Sequence, residues 1–196
     1  MSKQSRKFKV PDELANLYDF ANTLDLRRFI HRGVQQQQSD ELTSPQDLAA
    51  WMTERGLSRR GSRMTPEMFA TALELRGSLR AFLQADATAR RKDQAMLRAL
   101  ARATSHFPLR SIVGANGTLT LAPARDDALG GLAAVIAEMH NASLNGTLDR
   151  LKTCASEECQ RVFFDRSKPA SRRWCVSTLC GNRIKTRTYR ERHQDA

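Results

Sequence analysis

Four cysteines, Cys154, Cys159, Cys175 and Cys180, form the pattern C-x4-C-x15-C-x4-C within the last 43 of the chain's 196 residues. Two close pairs joined by a loop let four thiolates meet at one tetrahedral ion, each sulfur about 2.3 Å from it. The middle spacer falls in the range read as a zinc site. Each x4 spacer is at the long end of those used within a pair, so the knuckles are looser than C-x2-C ones. Disulfides fit a reducing compartment poorly, and C-x4-C is not the redox C-x-x-C motif. An iron–sulfur cluster would also accept four thiolates. The reading is one structural Zn2+ per chain, on a segment too small to fold without its metal.

Charge marks the same segment. The chain holds 32 Lys and Arg against 21 Asp and Glu, a formal +11. Residues 150–196 carry +7 of that excess, and the first 149 residues only +4. A boundary is therefore expected near Gly146–Arg150, dividing a nearly balanced domain over 1–148 from a basic module over 149–196. So basic a chain favours an anionic partner, nucleic acid before a membrane surface. The start, Met1 to Lys7, lacks the apolar stretch of a secretory signal, and Leu129 to Ala137 is far short of the ~20 residues of a membrane span. The expected localisation is cytoplasmic, nucleoid-associated when bound to DNA, with no membrane partner.

The first domain reads as mainly helical. Pro11 to Phe29 has a mostly helical apolar period, and His31 to Asp40, with four consecutive glutamines, reads as an exposed loop. Ser44-Pro45 starts a helix over 46–55 that Gly56 stops. Arg59 to Arg63 is a flexible basic link, and Thr65-Pro66 opens a helix running through Leu83. A further helix is expected over 92–104, a hairpin near 109–122 around Gly114-Ala-Asn-Gly117, and a long helix over 126–151. No catalytic motif is present, and His31, His106 and His140 are scattered, so an enzyme is not expected. Asp19 and Asn22 share a face of the first helix. Capping or interhelical hydrogen bonds explain them, with contact to a small ligand the alternative.

In the module, Arg161 to Asp165 reads as a strand, and Phe163, Phe164 and Trp174 as a miniature core around the metal. Gly181 to His193 reads as a helix that Cys180 abuts at its N-terminus, where the dipole favours thiolate. Two knuckles, a hairpin and this helix make a treble-clef-like finger. The fold class is mainly α with a small hairpin, α+β overall. Arg183, Arg187 and Arg190 lie at i, i+4 and i+7, a stripe suited to tracking phosphates. Lys185 and Arg192 lie off it, Arg172 and Arg173 precede the third cysteine, and Asn182 or Arg183 is placed to reach base edges.

The run Cys159-Gln-Arg-Val-Phe-Phe-Asp-Arg-Ser, then Arg172-Arg-Trp-Cys175 and Cys180-Gly-Asn-Arg183, resembles the CGNR zinc finger. Asp19-Phe-Ala-Asn-Thr-Leu-Asp25, with Trp51 and Gly56-Leu57, is similar to the ABATE domain that precedes that finger. The resemblance implies a bacterial, stress-induced transcription regulator. It also implies zinc on the four cysteines, DNA as the finger's partner, and a ligand-sensing or interaction role for residues 11–148. A homodimer is expected by half-site logic. The alternative is a small-molecule-binding or RNA-binding protein whose finger is only structural.

Overall fold

The structure, a computed structural model, describes residues 10–31, 33–59 and 61–193. The chain start and Arg60 of the basic link fall outside the described residues.

Local chemistry sets several helix ends. A 3-10 turn, Asp12–Leu14, leads into α1 (Ala15–Asn22). The helix α2 (Pro45–Glu54) starts where the Ser44 hydroxyl accepts from Asp47 N at 3.2 Å, with Pro at the first turn. It stops at Gly56, whose φ of +68° lets Leu57 N reach back to the Met52 carbonyl at 2.9 Å. Thr65 caps α3 (Pro66–Gln84) by the same device. Asp93 ends the short helix α4 (Ala89–Lys92) and caps α5 (Gln94–Ser105), which is the helix expected over 92–104.

Between α1 and α2 the chain makes four two-residue strands: β1 (Leu24–Asp25), β2 (Ile30–His31), β3 (Val34–Gln35) and β4 (Ser39–Asp40). β1 pairs antiparallel with β4, and β2 with β3. The helix expected over Pro11–Phe29 thus ends at Asn22, and the loop expected at 31–40 is exposed over most of 33–40 but has His31, Val34, Gln35, Ser39 and Asp40 in these short pairs. Arginines of α3 explain the early stop. Arg80 donates to the carbonyls of Ala21 at 2.6 Å and Leu24 at 3.2 Å. Arg76 grips the Asp40 carboxylate at 2.6 Å and the Thr23 hydroxyl at 3.0 Å. Carbonyls satisfied by a guanidinium need no further helical turn.

The expected hairpin forms as β5 (Leu109–Val113) and β6 (Leu119–Pro123), paired over five residues. The long helix expected over 126–151 is shorter: a 3-10 turn at Gly130–Leu132, α6 (Ala133–Leu144), then a second turn at Leu148–Arg150. Gly131 is why the helix starts late. A Cβ there would stand 1.6 Å from the Leu57 carbonyl oxygen, so the backbones of the α2 exit and the α6 entry touch.

Two buried clusters result. The larger draws on α1, α2, α3, α5 and α6, centred on residues such as Leu14, Phe20, Met52, Leu79 and Leu132. It also takes in Leu151, Val162 and Phe164, from β7 (Leu151–Thr153) and β8 (Val162–Phe164). The smaller is built of Phe29, Phe163, Cys154, Cys159 and Cys180, with Trp174, Cys175 and Leu179 against it. Phe163 and Trp174 surround the cysteines as expected. Phe164 does not: adjacent strand residues face opposite sides, so it enters the larger core.

Candidate metal centre

Both knuckles are shaped by backbone hydrogen bonds. Cys154 follows β7 directly, and its N–H donates to the Arg161 carbonyl at 2.9 Å. The Ser156 carbonyl accepts from Cys159 N at 2.8 Å and Gln160 N at 3.0 Å, and Gln160, at φ +46°, turns the chain into β8. In the second knuckle the Val176 carbonyl accepts from Leu179 N at 3.3 Å and Cys180 N at 2.9 Å. The wide turn Ser177–Gly181 then runs straight into α7 (Asn182–His193). Ala155 N donates to the Arg173 carbonyl at 2.8 Å and ties one knuckle to the other. Gly181 matters here, because a Cβ would press to 3.2 Å from the Trp174 ring.

The four sulfurs all lie within 4.8 Å of one another. Cys159 Sγ to Cys175 Sγ is 3.7 Å, and Cys175 Sγ to Cys180 Sγ is 3.7 Å. A tetrahedron with metal–sulfur bonds of about 2.3 Å has edges of about 3.8 Å. A disulfide would need about 2.05 Å. The spacing is that of ligands around one ion. Four thiolates this close need a cation between them. Zinc bound here has four protein ligands and no open position, which makes it a structural ion.

A carboxylate braces the loop between the pairs. Asp165, fully buried, accepts from Ser167 N at 2.9 Å, Ser167 Oγ at 2.6 Å, Lys152 Nζ at 2.9 Å and Arg172 N at 2.8 Å. Burial alone would push its carboxyl up, but the bonds from Ser167 and Lys152 outweigh that and hold it well below its ordinary value. Phe29, from between β1 and β2, enters the cysteine cluster, and Arg28 N donates to the Glu158 carbonyl at 2.9 Å. Sequence reasoning missed Phe29, Asp165 and Glu158. Asp165 was legible in one respect, since Asp-x-Ser is a turn signature; Phe29 had no local signal.

The basic residues divide into two groups. Arg183 lies 4.0 Å over the Phe29 ring and is paired with Glu158, and Arg187 reaches Glu158 at 3.8 Å and Glu191 at 3.7 Å. These two and Arg190 line a groove of about 720 Å³ with Ile30 and Leu179. Arg172 lies over Phe163 and donates to the carbonyls of Trp174 and Cys175. Asn182, Lys185, Arg190 and Arg192 are exposed on α7, and Arg173 is exposed beside Trp174. Among the described residues Lys185, Arg190, Arg192 and Arg173 form no ion pair.

The two polar residues of α1 have structural partners. Asp19 is buried with Arg55 Nε at 3.6 Å, and that guanidinium covers the Trp51 ring at 4.1 Å. Asn22 accepts from Val162 N at 3.0 Å and donates to the Val162 carbonyl at 3.1 Å, as a neighbouring strand would. This is the interhelical hydrogen-bonding reading of that pair, extended to a strand.

No helix among the described residues is long and apolar enough to cross a membrane. The family model of the CGNR zinc finger matches residues 150–193. The model of the ABATE family, described as "Putative stress-induced transcription regulator", matches residues 16–142. No curated protein matches the chain. With that match covering most of its length and a zinc finger of four converging cysteines behind it, the chain belongs to the ABATE family.

Proposed function

We propose that this regulator binds duplex DNA through α7, with the zinc site holding the helix at a fixed angle. Residues 1–148 would then serve effector sensing or association, and residues 149–196 would serve contact with the DNA. One observation carries the reading: Lys185, Arg190 and Arg192 stand exposed on a metal-anchored helix with no ion pair among the described residues. Cations not already neutralised are what phosphate contacts use. Asn182 and Arg173 flank them, the first as a base-edge candidate and the second as a further phosphate contact. Arg183, Arg187 and Arg172 support the reading differently. Their partners within the protein make them braces for the helix and loop first. A single helix of this length makes few contacts, so a homodimer on paired half-sites fits the reading.

The test is binding of the zinc-loaded chain to duplex DNA across a salt series. Affinity should fall with a log–log slope of about −0.9 per phosphate neutralised. Replacing Lys185, Arg190 and Arg192 together by Ala should flatten that slope by about two to three such contacts. An unchanged slope would remove α7 from the interface. Preferential competition by single-stranded RNA would redirect the partner assignment.

A further inference from the structure

The groove of about 720 Å³ beside α7 has a second wall that the DNA reading leaves unused. One side is α7 itself, with Asn182, Thr186, Arg187 and Arg190, and the other includes Ile30 at the start of β2. Two contacts fix that wall against the finger. The Phe29 ring is buried in the cysteine cluster, and Arg28 N donates to the Glu158 carbonyl at 2.9 Å. Gln36 N donates to the Phe29 carbonyl at 2.8 Å, so β3 is carried on the same anchor. The metal site therefore positions the β2–β3 pair as well as α7.

The chemistry of this wall is uncharged. Ile30 is 64% exposed, and in the strand register it lies opposite Gln35. Directly paired residues share a face of a two-stranded ribbon, so an amide stands beside Ile30 at the rim of the groove. Gln35 Nε2 donates to the Gln36 carbonyl at 2.9 Å, which orders the amide, and nothing among the described residues donates to its oxygen. Gln37 is exposed, and among the described residues its side chain makes no hydrogen bond. A carboxamide matches the donor and acceptor of an adenine edge, and an open isoleucine suits a thymine methyl. The cation facing them across the groove, Arg190, suits phosphate. A second copy of the chain fits less well. Ile30 and the equally open Val34 belong to successive pairs of the ribbon and face opposite sides, so one partner surface could not cover both.

We propose that the β2–β3 pair is a second DNA-contacting element, with Gln35 and Gln37 reading base edges alongside the groove that α7 enters. The inference rests on the duplex-binding reading of α7 and adds to it the source of sequence preference. The zinc-loaded full chain is first used to select duplexes from a random pool. Affinity is then measured for a selected and a scrambled duplex, each across a salt series. The variant carrying Gln35→Ala and Gln37→Ala should lose at least about fivefold of the preference for the selected duplex. Its salt slope should match the parent, because no charge is removed. Both side chains are exposed, so zinc content and melting should also match, which separates lost recognition from misfolding.

An unchanged preference in that variant overturns the proposal and leaves the α7 reading standing, provided that replacing Lys185, Arg190 and Arg192 still flattens the slope. A parent without salt-dependent duplex binding brings down the α7 reading, and this inference with it. If sedimentation without DNA shows a dimeric parent and a monomeric variant, the face is an interface between copies and the proposal falls.

Discussion

Glu158 governs how much of the charge on α7 is available to a partner. It sits in the first knuckle, and its carboxylate is shared by Arg183 and Arg187. A phosphate competing for either arginine must first displace it. Glu158→Gln should therefore steepen the salt dependence of DNA binding, by up to about 0.9 in log–log slope for each arginine released. The same slope in variant and parent would show that Arg183 and Arg187 stay in place as braces. Asp165 makes the opposite kind of claim, about stability alone. In Asp165→Asn an amide N–H must face one of the donors from Ser167, Lys152 or Arg172, at a cost of about 2–4 kcal/mol. Because its carboxyl is held below the ordinary value, its contribution is present above that value and is lost as pH falls through the depressed one. Acid titration of unfolding should show that loss in the parent and not in Asp165→Asn.

At the scale of elements, the readable features were those whose cause lies within a few residues. Ser44-Pro45, Thr65-Pro66 and the Gly56 stop are local bargains between side chain and backbone, and the structure has them all. The paired knuckles were legible for the same reason, since spacing along the chain limits where sulfurs can go. The end of α1 was not legible, because it is set by Arg80 reaching over from α3, and no pattern near Asn22 announces that. The late start of α6 depends on Leu57, and the groups that hold α6 to α1 are equally remote.

That last contact is a pH-sensitive joint. Glu138 of α6 accepts from Asn16 N at 3.3 Å, Asn16 Nδ2 at 2.7 Å and Leu17 N at 2.8 Å, capping the first turn of α1. Burial pushes its carboxyl up to about 7, against the pull of those hydrogen bonds. A raised carboxyl binds a proton in the folded state that the unfolded chain has already released. Stability from this group is thus full below its ordinary value of 4.5 and is lost as pH rises through about 7. Denaturant titrations at pH 5 and pH 8 should differ by an amount on the order of 2 kcal/mol that disappears in Glu138→Gln. A difference of equal size in the variant would assign the effect to other groups.

For the whole molecule, the question is whether the metal site folds on its own account or holds the rest in place. Sequence charge and cysteine content suggested a division near residue 148, and the contacts run across that position. Phe29 completes the cysteine cluster, Asn22 pairs with Val162, and Arg80 donates to the Gln160 carbonyl at 3.0 Å. Arg90, from α4, donates to the carbonyls of Leu148 at 3.2 Å and Leu151 at 2.8 Å. Removing zinc would let the four sulfurs take up protons and separate, loosen the first knuckle, and release the partners of each of these groups. Buried guanidinium groups left without acceptors are costly, so the loss should propagate into the helical core. The two tryptophans allow this to be read separately. Trp51 is buried beside Phe20 in the larger core, and Trp174 packs on the cysteine cluster. In zinc-loaded single-tryptophan variants, Trp51→Phe and Trp174→Phe, both signals should report one melting transition. Chelation should lower each by about 10 °C or more, since ligand binding to the folded state stabilises everything that folds with it. A Trp51 transition indifferent to chelation would instead make the finger an independent unit, carried by the helical core without supporting it.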